Sequence, residues 1–204
     1  LPESIWLRTT PGASAMGQPY VCTEAGQYLA QGHFSTARTH KESYLLFYPL
    51  RGAGLIEQGD DRVLLRAGQA LLMDCRKPQR YATAPGQHCW HHDWVHLDGA
   101  GVAAMAEWLI PEGKLTPITL TDQKVEEQFK TIFAELESGT VDSMLQVSLA
   151  LHQLLAGQPQ LHASKGVDSI VDAAVAGHKA AEHLAVGRVD DGVHGHFRDV
   201  VAND

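Results

Sequence analysis

The fold of this chain is decided by residues 44–99, which read YLLFYPLRGAGLIEQGDDRVLLRAGQALLMDCRKPQRYATAPGQHCWHHDWVHLDG. Short apolar segments in this stretch are separated by glycine-containing turns, among them Gly52-Ala53-Gly54 and Ala67-Gly68. Apolar segments of about four to eight residues between turn signals are typical of β-strands. Because no helix-length segment separates them, the pattern predicts an antiparallel barrel rather than a parallel α/β sheet.

The last strand of this stretch carries an unusual set of side chains. Side chains on a strand point to alternate faces, so every second residue shares a face. One face is therefore expected to hold Trp90, His92, Trp94 and His96, and the other Cys89, His91, Asp93, Val95 and Leu97. A plain core strand would present Val, Ile and Leu on its buried side. Aromatic rings and polar edges on one face indicate a site for a small polar ligand in the mouth of the barrel.

The chain divides into three parts on this basis. We expect an N-terminal arm and the barrel in residues 1–99, a helical segment in residues 100–160, and a helix and tail in residues 161–204. Within the arm, Tyr20-Val21-Cys22 and Tyr28-Leu29-Ala30 are predicted to form edge strands.

Three apolar stripes with helical spacing follow Gly99 and predict three helices. They comprise Val102, Met105, Ala106 and Leu109; Val125, Phe129, Ile132, Phe133 and Leu136; and Met144, Val147, Leu151, Leu154 and Leu155. We expect Thr121 or Asp122 to cap the second helix. Leu145 and Leu149 lie off the third stripe, so the third helix is either buried within its own domain or packed between the barrel and a second subunit. We favour the second arrangement, because a small barrel offers a helix one outer wall.

Composition narrows the classes of function. The chain has 16 Lys and Arg against 24 Asp and Glu, a net charge of −8, so it lacks the bulk basic charge of a nucleic-acid-binding domain. No apolar run approaches the ~20 residues of a membrane helix, and the N-terminal residues do not resemble a secretory signal. Three cysteines are few and odd in number, which favours the reducing cytoplasm over a disulfide framework.

Several segments together resemble the ligand-binding and dimerisation domain of AraC-type bacterial transcription regulators. They are Leu50-Arg51-Gly52-Ala53-Gly54, the segment from Arg66 to Leu72, Tyr81 after a proline turn, and the segment from Trp90 to Gly99. The resemblance continues more weakly through the helices to about Gln158 and covers some three-quarters of the chain.

This resemblance implies a cupin-like barrel of the jelly-roll type, followed by a pair of helices used for dimerisation. It also implies a small-molecule effector, often a sugar, inside the barrel near the N-terminal arm. By position, Trp94 matches the tryptophan that stacks on a sugar ring, and His92, Tyr81 and Arg38 match polar contacts. Trp90 joins this set because the alternation of the strand places it on the same face. We expect no metal and no cofactor.

The alternative is a small metal-dependent cupin enzyme, an isomerase or a dioxygenase. Such an enzyme needs two or three imidazoles and a carboxylate around one ion. The turn at Gly52-Ala53-Gly54 is not followed by the His-x-His and Glu set, and Gln79 and Arg80 stand where a further metal histidine is expected. His91 points away from His92 on a flat strand, so the histidines cannot all converge. The sequence therefore favours a regulator over an enzyme.

The tail differs most from the AraC-type pattern. Regulators of this type contact DNA through a C-terminal domain with two helix-turn-helix units, on the order of 100 residues. Residues 167–184 are predicted to form a helix, and His183-Leu184 and residues 195–201 resemble pieces of a first helix-turn-helix. Glycines between them interrupt any continuous helix. We therefore expect DNA contact to belong to a helix-turn-helix domain largely absent from this chain, with the tail as its remnant or as a loosely ordered end.

Overall fold

The computed structural model describes residues 4–120, residues 124–157 and the backbone of residues 196–201. Its strands are β1 (Ile5–Thr10), β2 (Val21–Gln31), β3 (Ser35–Arg38), β4 (Tyr44–Gln58), β5 (Asp61–Arg66), β6 (Gln69–Asp74), β7 (Gln79–Thr83), β8 (Cys89–Asp98), β9 (Ile118–Thr119) and β10 (His196–Val201). Its helices are α1 (Ala13–Met16), α2 (Ala100–Leu109), α3 (Lys124–Ser138) and α4 (Val141–Ala156), with a 3₁₀ turn at Pro111–Gly113.

The strands form two sheets that share β4. The first sheet has the order β10-β1-β2-β8-β4-β6-β9, and the second has the order β3-β7-β4-β5. Apart from the parallel pair of β1 and β10, all the paired strands are antiparallel. Among the described strands the hydrogen bonds do not close into a ring. The predicted antiparallel, cupin-like architecture is therefore confirmed, as an open barrel made of two facing sheets.

A bend in β4 makes this arrangement possible. The pairing of β4 with β8 shifts register between Pro49 and Arg51. Proline has no backbone N–H to donate to a neighbouring strand, and an irregular register bends a strand sharply. The first part of β4 therefore pairs with β6, and the last part turns away to pair with β5 and β7.

The first long strand, β2, differs from the prediction. The sequence predicted two short edge strands around Val21 and Leu29, but the structure has one strand of 11 residues that lies between β1 and β8. Gly26 interrupts the apolar pattern at its centre, which made the strand look broken. A Cβ atom at Gly26 would lie 2.2 Å from the Ile5 carbonyl oxygen and 2.9 Å from the Trp94 ring. The glycine is therefore required by the close approach of β1 and an indole.

The helices cover the outer face of the first sheet. All three predicted helices are present, and the residues of their apolar stripes mostly lie in one buried cluster with Leu7, Ala25, Leu46, Val95 and Leu97 of the sheet. Thr140 caps α4, because its hydroxyl accepts a hydrogen bond from the Ser143 N–H at 3.1 Å. The expected caps of α3 at positions 121 and 122 lie outside the described residues. Within the described part of the chain, no helix is long and apolar enough to cross a bilayer.

The tail prediction is wrong where the structure describes the tail. His196–Val201 forms strand β10 beside β1, not a piece of a helix-turn-helix. Aromatic and β-branched residues favour strands, and three of these six residues, Phe197, Val200 and Val201, are of that kind. The helix predicted for residues 167–184 lies outside the described residues.

Substitution of Gly26 tests the packing of β1 and β8 on β2. Gly26→Ala should lower the free energy of unfolding by about 1–3 kcal/mol, because backbone as well as a ring must shift to admit the methyl group. Urea denaturation followed by circular dichroism measures the change. Gly17→Ala is the matched control, since Gly17 has φ −78° and its Cβ would meet atoms no nearer than 3.5 Å. Equal stability of the two variants would contradict the close approach.

Candidate functional site

Strand β8 forms the centre of the inner surface. The predicted alternation is confirmed. Trp90 and Trp94 lie in the buried cluster between the two sheets, whereas Val95 and Leu97 lie in the cluster under the helices. His92 and His96 share the inner face and are each only 2% exposed. The barrel interior is therefore lined by alternate residues of one strand.

Trp94 lies in the middle of this surface. It pairs across the sheet with Gly26 of β2 on one side and Phe47 of β4 on the other. The absence of a side chain at Gly26 leaves room for the indole. Trp6 of β1 is also paired with Gly26, and its ring meets that of Trp94 edge to face at a centroid distance of 5.8 Å. The N-terminal arm thus contacts the predicted stacking residue directly.

His92 is held in one tautomer. Its ring stacks on Trp90 at a centroid distance of 3.9 Å, and its Nδ1 lies 3.2 Å from the Trp90 carbonyl oxygen. Because a carbonyl only accepts hydrogen bonds, Nδ1 carries the proton and Nε2 presents a lone pair. Burial lowers the pKa of His92 to about 3, so the ring is neutral at physiological pH. A neutral His92 can accept a hydrogen bond from a hydroxyl group at Nε2.

Trp90 packs against one face of the His92 ring. Its side chain is fully buried and packs against Gly54 of β4, where a Cβ would lie 2.3 Å from the indole. The indole Nε1 is buried and has no hydrogen-bond partner in the described part of the chain. Tyr28 and Phe34 surround His92 at ring centroid distances of 5.9 and 6.1 Å.

Polar groups gather around His96. Its Nδ1 lies 2.9 Å from the Ser43 hydroxyl, and its strand position pairs with Glu24 of β2. Glu24 forms an ion pair with Lys41. Burial, together with the positive charges of Lys41 and Arg38, holds the pKa of His96 well below its usual range. His96 is therefore a second neutral imidazole, placed in a positive field.

Arg38 and Tyr81 lie on the opposing sheet. In the pairing of β3 with β7, Arg38 is opposite Gln79 and Thr36 is opposite Tyr81, so all four share a face. The Tyr81 ring contacts Phe47 at 5.0 Å and Trp90 at 6.5 Å. Burial raises the pKa of Tyr81 to about 12, so its hydroxyl keeps its proton. Tyr81 thus connects the Arg38 end of the second sheet to the aromatic interior.

The structure brings all five predicted residues to the inner surface of the barrel. Sequence reasoning missed several others: Trp6, Tyr28, Phe34 and Gln79 share this surface, and Ser43 and Lys41 contact His96 and Glu24 on it. The alternation of Glu24, Gly26 and Tyr28 could have identified Tyr28, had β2 been predicted as one strand.

Two further histidines in the described part of the chain, His91 and His40, lie away from this surface. His91 lies on the outer side of β8, where its Nε2 is 3.2 Å from Gln31 Nε2, and His40 contacts Glu42 and the Arg76 carbonyl at the surface. Within residues 4–120 and 124–157, no three His, Cys, Asp or Glu side chains come together in a way that could hold a metal ion.

Two facing sheets with an aromatic, partly polar interior define a cupin-like ligand-binding domain. The family model of the AraC-like ligand binding domain matches residues 21–155 of the sequence, about two-thirds of the chain. The chain belongs to this family. No curated protein sequence matches it significantly.

Solved structures that resemble this chain include the protein YhaK and two cupin-2 domains. YhaK from Escherichia coli is 13% identical, with a TM-score of 0.45 over 59% of this chain and 52% of YhaK. A cupin-2 domain protein from Shewanella frigidimarina is 15% identical, with a TM-score of 0.30 over 40% of this chain and 71% of that one. The cupin-2 domain of an XRE family transcriptional regulator from Enterobacter cloacae is 11% identical, with a TM-score of 0.35 over 47% and 97% of the two chains.

Asp93 links the site strand to the helices. It lies between His92 and Trp94 but points to the outer face, where it is 4% exposed and accepts a hydrogen bond from Gln27 at 2.8 Å. Burial raises its pKa to about 6, the Gln27 hydrogen bond opposes that rise, and the charge of Glu126 on α3 adds to it. A carboxylate that ionises at this position therefore destabilises the fold.

Asp93 makes stability depend on pH. The folded protein binds a proton more tightly here than the unfolded chain, so the contribution of Asp93 to stability is fully present below about pH 4 and is lost as pH rises through about 6. Asp93→Asn keeps the acceptor for Gln27 and removes the charge. It should raise the free energy of unfolding at pH 7.5 by about 2–3 kcal/mol, with little change at pH 4.

Urea denaturation at both pH values measures this difference. Asp60→Asn is the matched control, because Asp60 is exposed in the turn between β4 and β5. An Asp93→Asn variant that is no more stable than wild type at pH 7.5 would show that the carboxylate is well solvated.

Proposed function

We propose that this chain is the effector-sensing and dimerisation part of a cytoplasmic transcription regulator. It binds a small polar molecule, a sugar or a close relative, in the barrel and thereby controls DNA binding by a helix-turn-helix domain. Membership of the AraC-like ligand-binding family supports the regulator role. One observation carries the proposal: Trp94, a neutral His92 and Tyr81 share one inner surface with Arg38. The proposal assigns no catalytic step to this surface.

The chemistry of the surface suits a hydroxylated ring. An indole stacks on the apolar C–H face of a sugar, while hydroxyl groups at the ring edge need donors and acceptors. His92 Nε2 provides an acceptor, and Tyr81 and Arg38 provide donors. Trp90 completes the set by holding the His92 ring from below.

The N-terminal arm provides a route for a signal. Trp6 packs against Trp94, and β1 is bonded along β2 at the edge of the barrel interior. An effector that stacks on Trp94 must alter this contact, so occupancy of the barrel changes the position of the arm. A coupling free energy of ~1–3 kcal/mol between effector and arm is enough for such a switch.

Removal of the Trp94 indole tests the stacking role. A thermal-shift screen against sugars and small hydroxylated metabolites identifies a stabilising compound, and calorimetry then measures its affinity. Trp94→Ala should weaken binding by about 1–3 kcal/mol through lost stacking and burial, with a smaller loss in Trp94→Phe. Trp108→Ala on α2 is the control, because Trp108 lies outside the barrel interior. Wild-type affinity in Trp94→Ala would remove Trp94 from the site.

We further propose that α4 forms a homodimer interface. Leu145 and Leu149 are 46% and 52% exposed, and residues four apart on a helix lie side by side. The opposite stripe of α4, including Leu151 and Leu154, is buried within the chain. One face of α4 is therefore packed within the chain, and the opposite face exposes two leucines. This is the arrangement expected if α4 lies between the barrel and a second copy.

Charge placed on this pair should prevent dimerisation. Leu145→Glu combined with Leu149→Glu should give a folded monomer, because a buried, unpaired carboxylate is costly at an interface. Light scattering at high micromolar concentration measures the mass. Ala134→Glu adds charge at an exposed position of α3, outside the proposed interface, and should remain dimeric. A monomeric wild-type protein under these conditions would rule out the interface.

A further inference from the structure

One end of the barrel carries a row of polar residues that begins at Arg38 and includes two glutamines to which the stacking site gives no role. In the second sheet, Arg38 of β3 is opposite Gln79 of β7, and Gln79 is opposite Gln58 of β4. These three residues therefore lie side by side on the inner face. They line an open groove of about 540 Å³ at the surface. Small-molecule sites in proteins have volumes of about 300–1,000 Å³, so the groove can hold a ligand of sugar size.

Both amides in this row have buried polar atoms without hydrogen-bond partners in the described part of the chain. Gln79 is 3% exposed, and neither its Nε2 nor its Oε1 has a partner in the described part of the chain. Gln58 is 6% exposed; its Nε2 donates to the Asp74 carbonyl at 2.8 Å, which leaves its Oε1 buried and unpartnered. Buried polar groups are nearly always hydrogen-bonded, since an unmet one is costly. This row therefore has one donor group and two acceptor oxygens that no group in the described part of the chain satisfies.

The charges around the groove leave Arg38 without a counter-ion. Glu57, the carboxylate that lines the groove, pairs with Arg80 at 3.1 Å and with Arg62 at 3.3 Å. Glu24, on the inner face of β2, pairs with Lys41. Within residues 4–120 and 124–157, no ion pair involves Arg38. The groove is therefore electrically positive at its inner end.

We propose that the effector carries a carboxylate and that the groove at Arg38 selects it. This inference rests on the proposed function, because it names the chemical class of the molecule bound there. A guanidinium binds a carboxylate through two parallel hydrogen bonds, and Gln79 Nε2 donates a third. Hydroxyl groups next to the carboxylate donate to Gln79 Oε1 and Gln58 Oε1. The ligand class that satisfies all these groups is a polyhydroxy acid, such as a uronic or aldonic acid.

A neutral sugar meets fewer of these requirements. It can donate to the amide oxygens, but it brings no negative charge to Arg38. The hydrogen bonds of a charged acceptor are about twice as strong as those of a neutral one. The acid is therefore expected to bind more tightly than the neutral sugar of the same stereochemistry.

Matched pairs of compounds test this selectivity with the 204-residue chain. The probes are D-galacturonate against D-galactose and D-glucuronate against D-glucose, with D-gluconate as an open-chain acid. For at least one pair, calorimetry should show the acid binding about tenfold or more tightly than its neutral partner. Arg38→Gln should reduce that affinity about tenfold or more and leave little preference between acid and sugar. Gln79→Leu should weaken the acid as well, by removing the amide donor.

Arg80→Gln is the matched control. Arg80 also lines the groove and loses the same charge on substitution, but it pairs with Glu57, which keeps Arg62 as a partner. The affinity of the acid should change less than about twofold in this variant. Equal losses in Arg38→Gln and Arg80→Gln would mean that a general positive field, not Arg38, attracts the acid, and would overturn the inference.

A salt series in the wild-type protein gives a result that does not depend on whether any variant folds. The affinity of the acid should fall as ionic strength rises, because screening weakens charge attraction in an open groove, and that of a neutral sugar should not change. An acid affinity that is independent of salt would overturn the inference.

The outcomes separate this inference from the proposed function. If neutral sugars bind in a Trp94-dependent way and the acids bind more weakly or not at all, the effector carries no carboxylate. The inference is then overturned, and the proposed sensing role stands. Acid binding that depends on Arg38 but is unchanged in Trp94→Ala would support the acid site and contradict the stacking site. A panel in which no acid binds would overturn the inference.

Discussion

The alternation of side chains along β8 is the constraint on which the rest of the structure depends. Odd and even positions of one strand serve two different surfaces: Trp94 and His92 face the barrel interior, and Val95 and Leu97 face the helices. A slip of one residue in the pairing with β2 or β4 would exchange these faces. It would place indoles against α3 and aliphatic side chains in the interior. The register of β8 therefore determines both the candidate site and the surface against which the helices pack.

Much of this could be predicted from sequence, because both periodicities are local. The two-residue period from Trp90 to His96 gave the faces of β8, and the apolar stripes gave α2, α3 and α4 with their buried residues. The predictions that failed depend on contacts between segments that lie far apart in the chain. Gly26 looks like a break in β2 unless the neighbouring β1 and Trp94 are known, and the division of β4 between two sheets depends on partners that lie far along the chain. Residues 196–201 pair with a strand at the other end of the chain.

For the candidate site as well, local signals could be predicted from sequence and contacts between distant segments could not. Alternation alone placed Trp90, His92 and Trp94 on one surface, and family resemblance added Tyr81 and Arg38. The groups that set the chemistry of these residues come from elsewhere: the Trp90 carbonyl fixes the tautomer of His92, Ser43 holds His96, and Gln79 lies beside Arg38 only through the pairing of β3 with β7. Such partners depend on tertiary register, and the sequence carries no short-range signal for them. Sequence therefore indicates the position of the candidate site more readily than the chemistry of the molecule proposed to bind there.

Under the proposed function, the contact of Trp6 with Trp94 makes the N-terminal arm compete with the effector for the Trp94 ring. Trp94 is 9% exposed with Trp6 in place, so the proposed stacking of an effector on Trp94 requires molecules in which the two indoles have separated. The apparent dissociation constant is then the intrinsic one divided by the fraction of molecules in that open state. Any change that strengthens the pairing of β1 with β2 raises the effector concentration needed for a response, without altering a single residue that touches the effector. The threshold of such a sensor is set where β1 pairs with β2, separately from the specificity, which is set inside the barrel.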